Sequence, residues 1–198
     1  MYECAKCKTT TCGEGKDCAR GYDFSSYVEK AKKEYEKENI RKIWENASKI
    51  EAEHYMKWIR LEEIKEFCHL MEYKKIGVVM CSGLIEEASM VVKFLSEHLE
   101  VASICCKNCS IDKKHYDFPQ IKKNKFEAAC NPIGQALVMN DEKTELNIII
   151  GLCIGHDILF TKYSEAPVTT FIVKDRVLGH NTAASIYSNY YKNKLALK

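Results

Sequence analysis

From residue 74 onward the chain alternates short runs of consecutive apolar residues with longer amphipathic stretches. The runs are Ile76–Met80 (IGVVM), Val101–Cys105, Asn147–Gly151 and Val168–Val173. Unbroken apolarity over a few residues is expected of strands covered on both faces, as in a parallel sheet. Helical patterning fills the intervals, at Ile85–His98, Pro132–Met139, near Ile158–Tyr163 and at Thr182–Tyr191, the second opening with proline in its first turn. Repeated strand–helix units of this kind predict an α/β fold, a Rossmann-like, doubly wound parallel sheet of about four strands. The polar, lysine-bearing connection Lys107–Phe126 matches neither pattern.

Residues 25–73 read differently. Tyr27, Ala31 and Tyr35 mark one helical face, and Ile43, Ala47 and Ile50 another. Tyr55, Ile59, Ile64, Phe67 and Met71 continue the spacing, with Asn39 a place to break it, so two or three helices are expected. Arg60, Glu62 and Glu63 read as helix-face charges. Residues 1–24 are polar and aperiodic and cannot build an apolar core alone. The sequence thus divides into 1–24, 25–73 and an α/β domain over 74–198.

Composition narrows the class. At 198 residues and 46% apolar, the chain is long enough to bury a core. Its formal charge of +2 predicts no strong attraction to nucleic acid or to a membrane surface. Lys122, Lys123 and Lys125, near Tyr116 and Phe118, read as a solvated loop. No run approaches the ~20 apolar residues of a membrane span, and the start MYECAKC lacks the apolar stretch of a signal peptide. A cytoplasmic protein is expected, in a compartment where disulfides are rare. There, eleven cysteines suggest metal or redox chemistry, although Cys68 alone fits a buried small hydrophobe.

Cys4, Cys7, Cys12 and Cys18 form C-x2-C-x4-C-x5-C, with Gly13 and Gly15 allowing tight turns between them. Four soft ligands so close together suit a tetrahedral Zn2+ or a [4Fe–4S] cluster, and a shell closed by four protein ligands suits a structural site. The spacing is near that of zinc knuckles, but the segment holds no histidine.

A second set emerges when cysteines are placed on the predicted strands. Cys81 ends the first, Cys105 and Cys106 the second and Cys153 the third, while Cys130 precedes the Pro132 helix. His156 follows Cys153. Lys174, Asp175 and Arg176 end the fourth strand, with His180 just beyond. Ligands of open α/β sheets bind outside the carboxyl ends of the strands, so these residues are expected to converge. Four thiolates there would repel one another unless a cation joins them or most stay protonated. Either Cys81, in the CSGL elbow, or Cys153 is alternatively a thiol nucleophile. Which of Cys105, Cys106 and Cys109 takes part is open.

The segments CSGLIEEA, ASICCK, ACNPIGQA, GLCIGHDILF and APVTTFIVKDRVLGHN together resemble an uncharacterised family of cysteine-rich proteins predicted to bind metal, found mainly in anaerobic prokaryotes. The resemblance covers nearly the whole chain and implies metal binding without a reaction. In arrangement only, the chain is also similar to hybrid-cluster and carbon monoxide dehydrogenase proteins, which pair an N-terminal cysteine cluster with Rossmann-like domains. The leading expectation is an iron–sulfur protein with a redox or small-molecule partner. Cys4, Cys7, Cys12 and Cys18 hold one centre, and Cys81, Cys105, Cys130 and Cys153 a second. His156 serves there as ligand or proton donor, and Lys174, Arg176 and His180 bind an anionic cofactor or ligand. The alternative is a non-enzymatic protein that binds zinc. No GxGxxG or phosphate-loop motif is present.

Overall fold

The computed structural model describes residues 1–123 and 125–197. The chain divides into two compact units, Met1–Tyr55 and Met56–Lys198. In the first, short 3-10 turns at Cys4–Lys6 and Thr11–Glu14 precede helices α1 (Ser25–Tyr35) and α2 (Glu38–His54). The helices part before Asn39 rather than at it, because Lys37 takes an extended conformation (φ −70°, ψ 126°). Tyr35 and Trp44 stack across that break, with ring centroids 4.1 Å apart.

The second unit runs α3 (Arg60–Leu70), β1 (Lys75–Met80), α4 (Ile85–Leu95), β2 (Glu100–Cys105), α5 (Pro132–Asp141), β3 (Leu146–Ile150), α6 (His156–Tyr163) and β4 (Val168–Ile172). Short helices α7 (Ala184–Tyr187) and α8 (Asn189–Lys194) stand where one helix was expected, separated by an extended Ser188. The helix-face charges at the start of α3 have specific partners. The Glu62 carboxylate accepts from the Ile59 N–H at 2.9 Å, and Arg60 donates to the Thr169 hydroxyl on β4 at 2.8 Å. Ile64 and Cys68 carry α3 into the core of this unit.

The four strands form one parallel sheet in the order β2-β1-β3-β4. Each observed strand lies within one residue of its sequence expectation. β3 is buried throughout and β1 at all but its first residue, whereas the edge strands β2 and β4 are half-exposed. An edge strand has a neighbour on one side only, so its apolar run overstates its burial. The chain leaves β1 toward β2 and then crosses back to β3. Right-handed crossovers therefore set α4 against one face and α5 and α6, which pack together, against the other. This reversal beside β1 is a topological switch point, where α/β sheets open a crevice. Among the described residues no helix is long and apolar enough to cross a membrane.

One buried polar knot fixes the sheet centre. Asn147, on β3, is fully buried; its Oδ1 accepts from the Thr144 hydroxyl and its Nδ2 donates to Ser164 Oγ, both at 2.9 Å. Gly77 on β1 makes the room, since a Cβ there would lie 2.0 Å from Asn147 Oδ1 and 2.6 Å from Met139 Sδ. Gly77→Ala is therefore expected to cost about 2–3 kcal/mol by overpacking, read as a lower urea midpoint at unchanged slope.

Candidate functional site

The sheet ladder continues beyond the strands and delivers the cysteines. The Cys81 N–H donates to Ile150 O on β3 (3.1 Å), the Cys106 N–H to Met80 O on β1 (2.8 Å), and the Asn131 N–H to Cys106 O (2.8 Å). Met80 pairs with Cys105, so the next pair along the same register is Cys81 with Cys106. Below them the fully buried Gln135 braces the strand ends, its Nε2 donating to Met80 O at 3.2 Å and Ile104 O at 3.0 Å. Its Oε1 has no protein donor among the described residues. Asn108 pins the far side, donating to Cys105 O and Asn131 O and accepting from Asn131 Nδ2. Gly151 closes the near side. Its left-handed φ of +65° turns the chain toward Cys153, and a Cβ there would strike Leu84 Cδ1 at 1.9 Å.

The thiols of Cys81, Cys106 and Cys130 form a row in which each shifts its neighbour's titration. Cys106 raises the Cys81 pKa and Cys130 raises that of Cys106, so ionisation is favoured at Cys130, the end of the row. The bond to Cys106, with burial, pushes the Cys81 thiol up to about 12 despite Lys174 beside it. Cys106 is raised by its bond to Cys130. Cys130 is drawn down to about 6, first by the Cys106 hydrogen bond and then by Lys107. Of the three thiols, Cys130 is the one whose surroundings favour the thiolate.

Cations surround these sulfurs. Lys174 Nζ donates to Cys81 Sγ at 2.9 Å, and Arg176 Nη2 to Cys153 Sγ at 3.7 Å. Arg176 also feels the charges of Cys81 and Cys130, and Cys153 acts on Cys130. Lys107 reaches Ala128 O at 2.5 Å and acts electrostatically on both Cys130 and His156. Burial, followed by Lys107, lowers the His156 pKa, so the imidazole is neutral at neutral pH. Backbone amides add to the field, with Ser82 N–H donating to Cys106 Sγ and Gly83 N–H to Cys81 Sγ.

The expected residues are not all gathered. Cys106 takes the place in the row expected for Cys105, because neighbouring residues on an extended chain face opposite ways. Cys105 packs against the core and accepts from the Lys107 N–H. Cys109 is exposed in a left-handed turn (φ 65°), its thiol bonded to Asn108. His180 closes its own loop, its Nδ1 accepting from the Asp175 N–H at 3.1 Å, and lines a separate cavity of about 450 Å³ with Leu84 and Val173. Lys107 is the member that strand-end reasoning missed, and the choice of Cys106 over Cys105 is the one it left open. The ASICCK segment held the signal, but choosing between its cysteines requires the β1–β2 register.

The N-terminal quartet lies in the other unit. Cys4 and Cys12 are exposed, Cys7 and Cys18 half-buried, and the latter two both act on Arg20. The Cys7 N–H donates to Cys4 O at 2.9 Å, the tight turn expected of C-x2-C. No side chain of residues 1–24 is buried. Among the described residues, no group of three or more His, Cys, Asp or Glu side chains is drawn together closely enough to hold a metal ion.

A protein-family model, that of a protein of unknown function (DUF1847), matches residues 20–171. The chain belongs to that family. The matched span holds the thiol row, Lys107, Cys153 and His156, and stops short of Lys174 and Arg176. The DUF1847 chain is also 56% identical over 193 residues to an uncharacterized protein of Methanocaldococcus jannaschii, covering 98% of this chain and 97% of that protein. No solved structure matches it.

The thiol row predicts a pH signature in the metal-free protein. Alkylation of Cys130 by iodoacetamide is expected to rise as pH climbs through about 6, while Cys81, at about 12, stays unmodified near neutrality. Lys107→Gln moves the Cys130 midpoint upward. Mass spectrometry of peptides labelled across a pH series checks both; a Cys130 midpoint above 8 contradicts the row.

Proposed function

We propose that the crevice at the carboxyl ends of β1, β2 and β3 is a thiolate-ligated metal centre of iron–sulfur type. It serves a redox or small-molecule-transforming reaction, and its ligands are Cys81, Cys106, Cys130 and Cys153. The observation that supports this reading is the strand register that sets Cys81 beside Cys106, with Cys130 lowered in pKa by Cys106 and Cys153 bonded to Arg176. Soft thiolate sets of this kind select iron–sulfur clusters or zinc. The sulfurs extend along a row and do not converge on a point, and a four-iron cube accepts thiolates spaced more widely than a single tetrahedral ion does. Loading such a centre would replace thiol protons with sulfur–metal bonds. His156, neutral and close to Lys107, is the proton carrier at hand.

The N-terminal quartet is read as a separate structural or relay centre. Its support is the C-x2-C-x4-C-x5-C spacing and the tight turn at Cys4–Cys7. A second reading of the crevice rests on Cys130, its pKa lowered to about 6 by Cys106 and then Lys107, which suits it as a metal-free thiol nucleophile. Zinc at either position is the third.

Anaerobic purification followed by iron and acid-labile sulfide analysis separates these readings. Wild type is expected to hold two iron–sulfur centres, with Cys106→Ser losing one and Cys105→Ser losing none. A colourless protein carrying only zinc, or unchanged iron in Cys106→Ser, removes the iron–sulfur reading of the crevice. Labelling of Cys130 that added metal does not block favours the nucleophile instead.

A further inference from the structure

Between Lys107 and Glu127 the β2–α5 connection is ordered from within. Lys113 Nζ donates to Glu127 Oε1 at 2.5 Å and to Pro119 O at 3.1 Å. The other Glu127 oxygen accepts from the Ile121 and Lys122 N–H groups, at 2.8 and 3.2 Å, and Gln120 Nε2 donates to Lys125 O at 2.8 Å. The Phe118 N–H closes on Lys113 O at 3.0 Å. A compact surface loop ordinarily packs its large side chains against itself. This one turns them outward. Its inside is the Lys113–Glu127 pair, with side chains 19% and 18% exposed, while Tyr116, Phe118, Ile121 and Phe126 are 51% to 87% exposed. Tyr116 and Phe118 stack with centroids 5.5 Å apart, and His115 meets Tyr116 edge-on at 4.8 Å, so these rings form a patch rather than scattered single residues.

Lysines flank the patch. Lys114, Lys122, Lys123 and Lys125 are exposed, and among the described residues none of them has a carboxylate partner. The loop's acids are fewer. Glu127 is spent on Lys113, whereas Asp112 and Asp117 keep their charges, the first while accepting from the Lys114 N–H. Four lysines against two aspartates leave the outer face positive with every acid of the loop counted. The chain's near-neutral total conceals this local excess. Both roots of the loop lie at the thiol row. Lys107 follows Cys106, and Ala128, whose carbonyl takes Lys107 Nζ, stands two residues before Cys130.

We propose that the outer face of this loop docks an acidic protein, with Tyr116, Phe118, Ile121 and Phe126 as the apolar centre and the lysines as the rim. Resting on the reading of the crevice as a redox centre, that partner is a small acidic electron carrier, brought against the loop whose roots hold Cys106 and Cys130. An apolar, aromatic centre inside a charged rim is the anatomy of a protein–protein interface, and the rim charge selects and steers the partner. Single-stranded nucleic acid fits the face less well. Tyr116 and Phe118 each spend one ring face on the other, and Ile121, the most exposed of the four, has no ring for a base to stack on.

An acidic [2Fe–2S] ferredoxin is titrated into the full chain by calorimetry, and the contact is fixed with a carbodiimide that joins lysines to carboxylates. Saturable binding that weakens as salt rises is expected, with cross-links on Lys122, Lys123 or Lys125. Lys122→Glu combined with Lys123→Glu is expected to weaken it about tenfold or more. Phe118→Ser is expected to weaken it at high salt as well as low. No saturable binding, cross-links confined to other lysines, or an affinity that neither variant changes overturns the docking face. Tighter saturable binding of a short oligouridylate, lost on the same charge reversal, overturns it in favour of a nucleic-acid surface. Iron analysis of the same samples keeps the two readings apart. Docking by an iron-free chain defeats the redox centre and leaves the acidic-protein surface standing; an iron–sulfur chain that does not dock does the reverse.

Discussion

The candidate site depends on backbone hydrogen bonding that outlasts the strands. In the middle of the sheet the bonds between β1, β2 and β3 are ordinary parallel ladder. Past the last strand residues the same ladder runs on through Cys81 to Ile150, Cys106 to Met80 and Asn131 to Cys106. Each of these amides carries a cysteine or adjoins one. The sulfurs are thus placed by main chain rather than by flexible side-chain contacts, and the Gln135 amide beneath them ties the same strand ends together. A site built on rigid elements holds its geometry better than one carried on loops.

That placement creates the electrostatic problem on which the chemistry turns. Thiols coupled in this way do not all ionise in a half-buried crevice, and negative charge is favoured at Cys130, where Cys106 and then Lys107 lower the pKa. Cys81 stays protonated in spite of its short contact with Lys174. A row poised in this way exchanges its protons for a metal or for an electrophile, and the surrounding lysines and arginine stabilise the negative charge that either exchange develops.

Much of this was legible in the sequence. IGVVM and its three counterparts marked the strands because short, unbroken apolar runs bounded by turn residues suit a sheet covered on both faces. Proline, glycine and asparagine marked the turns between them. Cys81, Cys130, Cys153, Lys174 and Arg176 were readable as one set because each ends or begins an element on the same sheet edge. Cys106 was not separable from Cys105, since that choice depends on which residue of β1 lies opposite. Lys107 was hidden in a connection without periodicity. His180 shared the address but spends its imidazole on the Asp175 amide. The split of the last helix at Ser188 and the break before Asn39 follow from local backbone conformation that residue spacing does not encode.

Membership in a family of unknown function and close similarity to an uncharacterized protein leave the reaction to be argued from the crevice itself. Anomalous diffraction at the iron and zinc edges, from crystals grown anaerobically, probes the crevice without intermediaries. Iron peaks are expected at two places, one bonded to Cys4, Cys7, Cys12 and Cys18 and the other to Cys81, Cys106, Cys130 and Cys153. A crevice without an anomalous peak would rule the metal centre out.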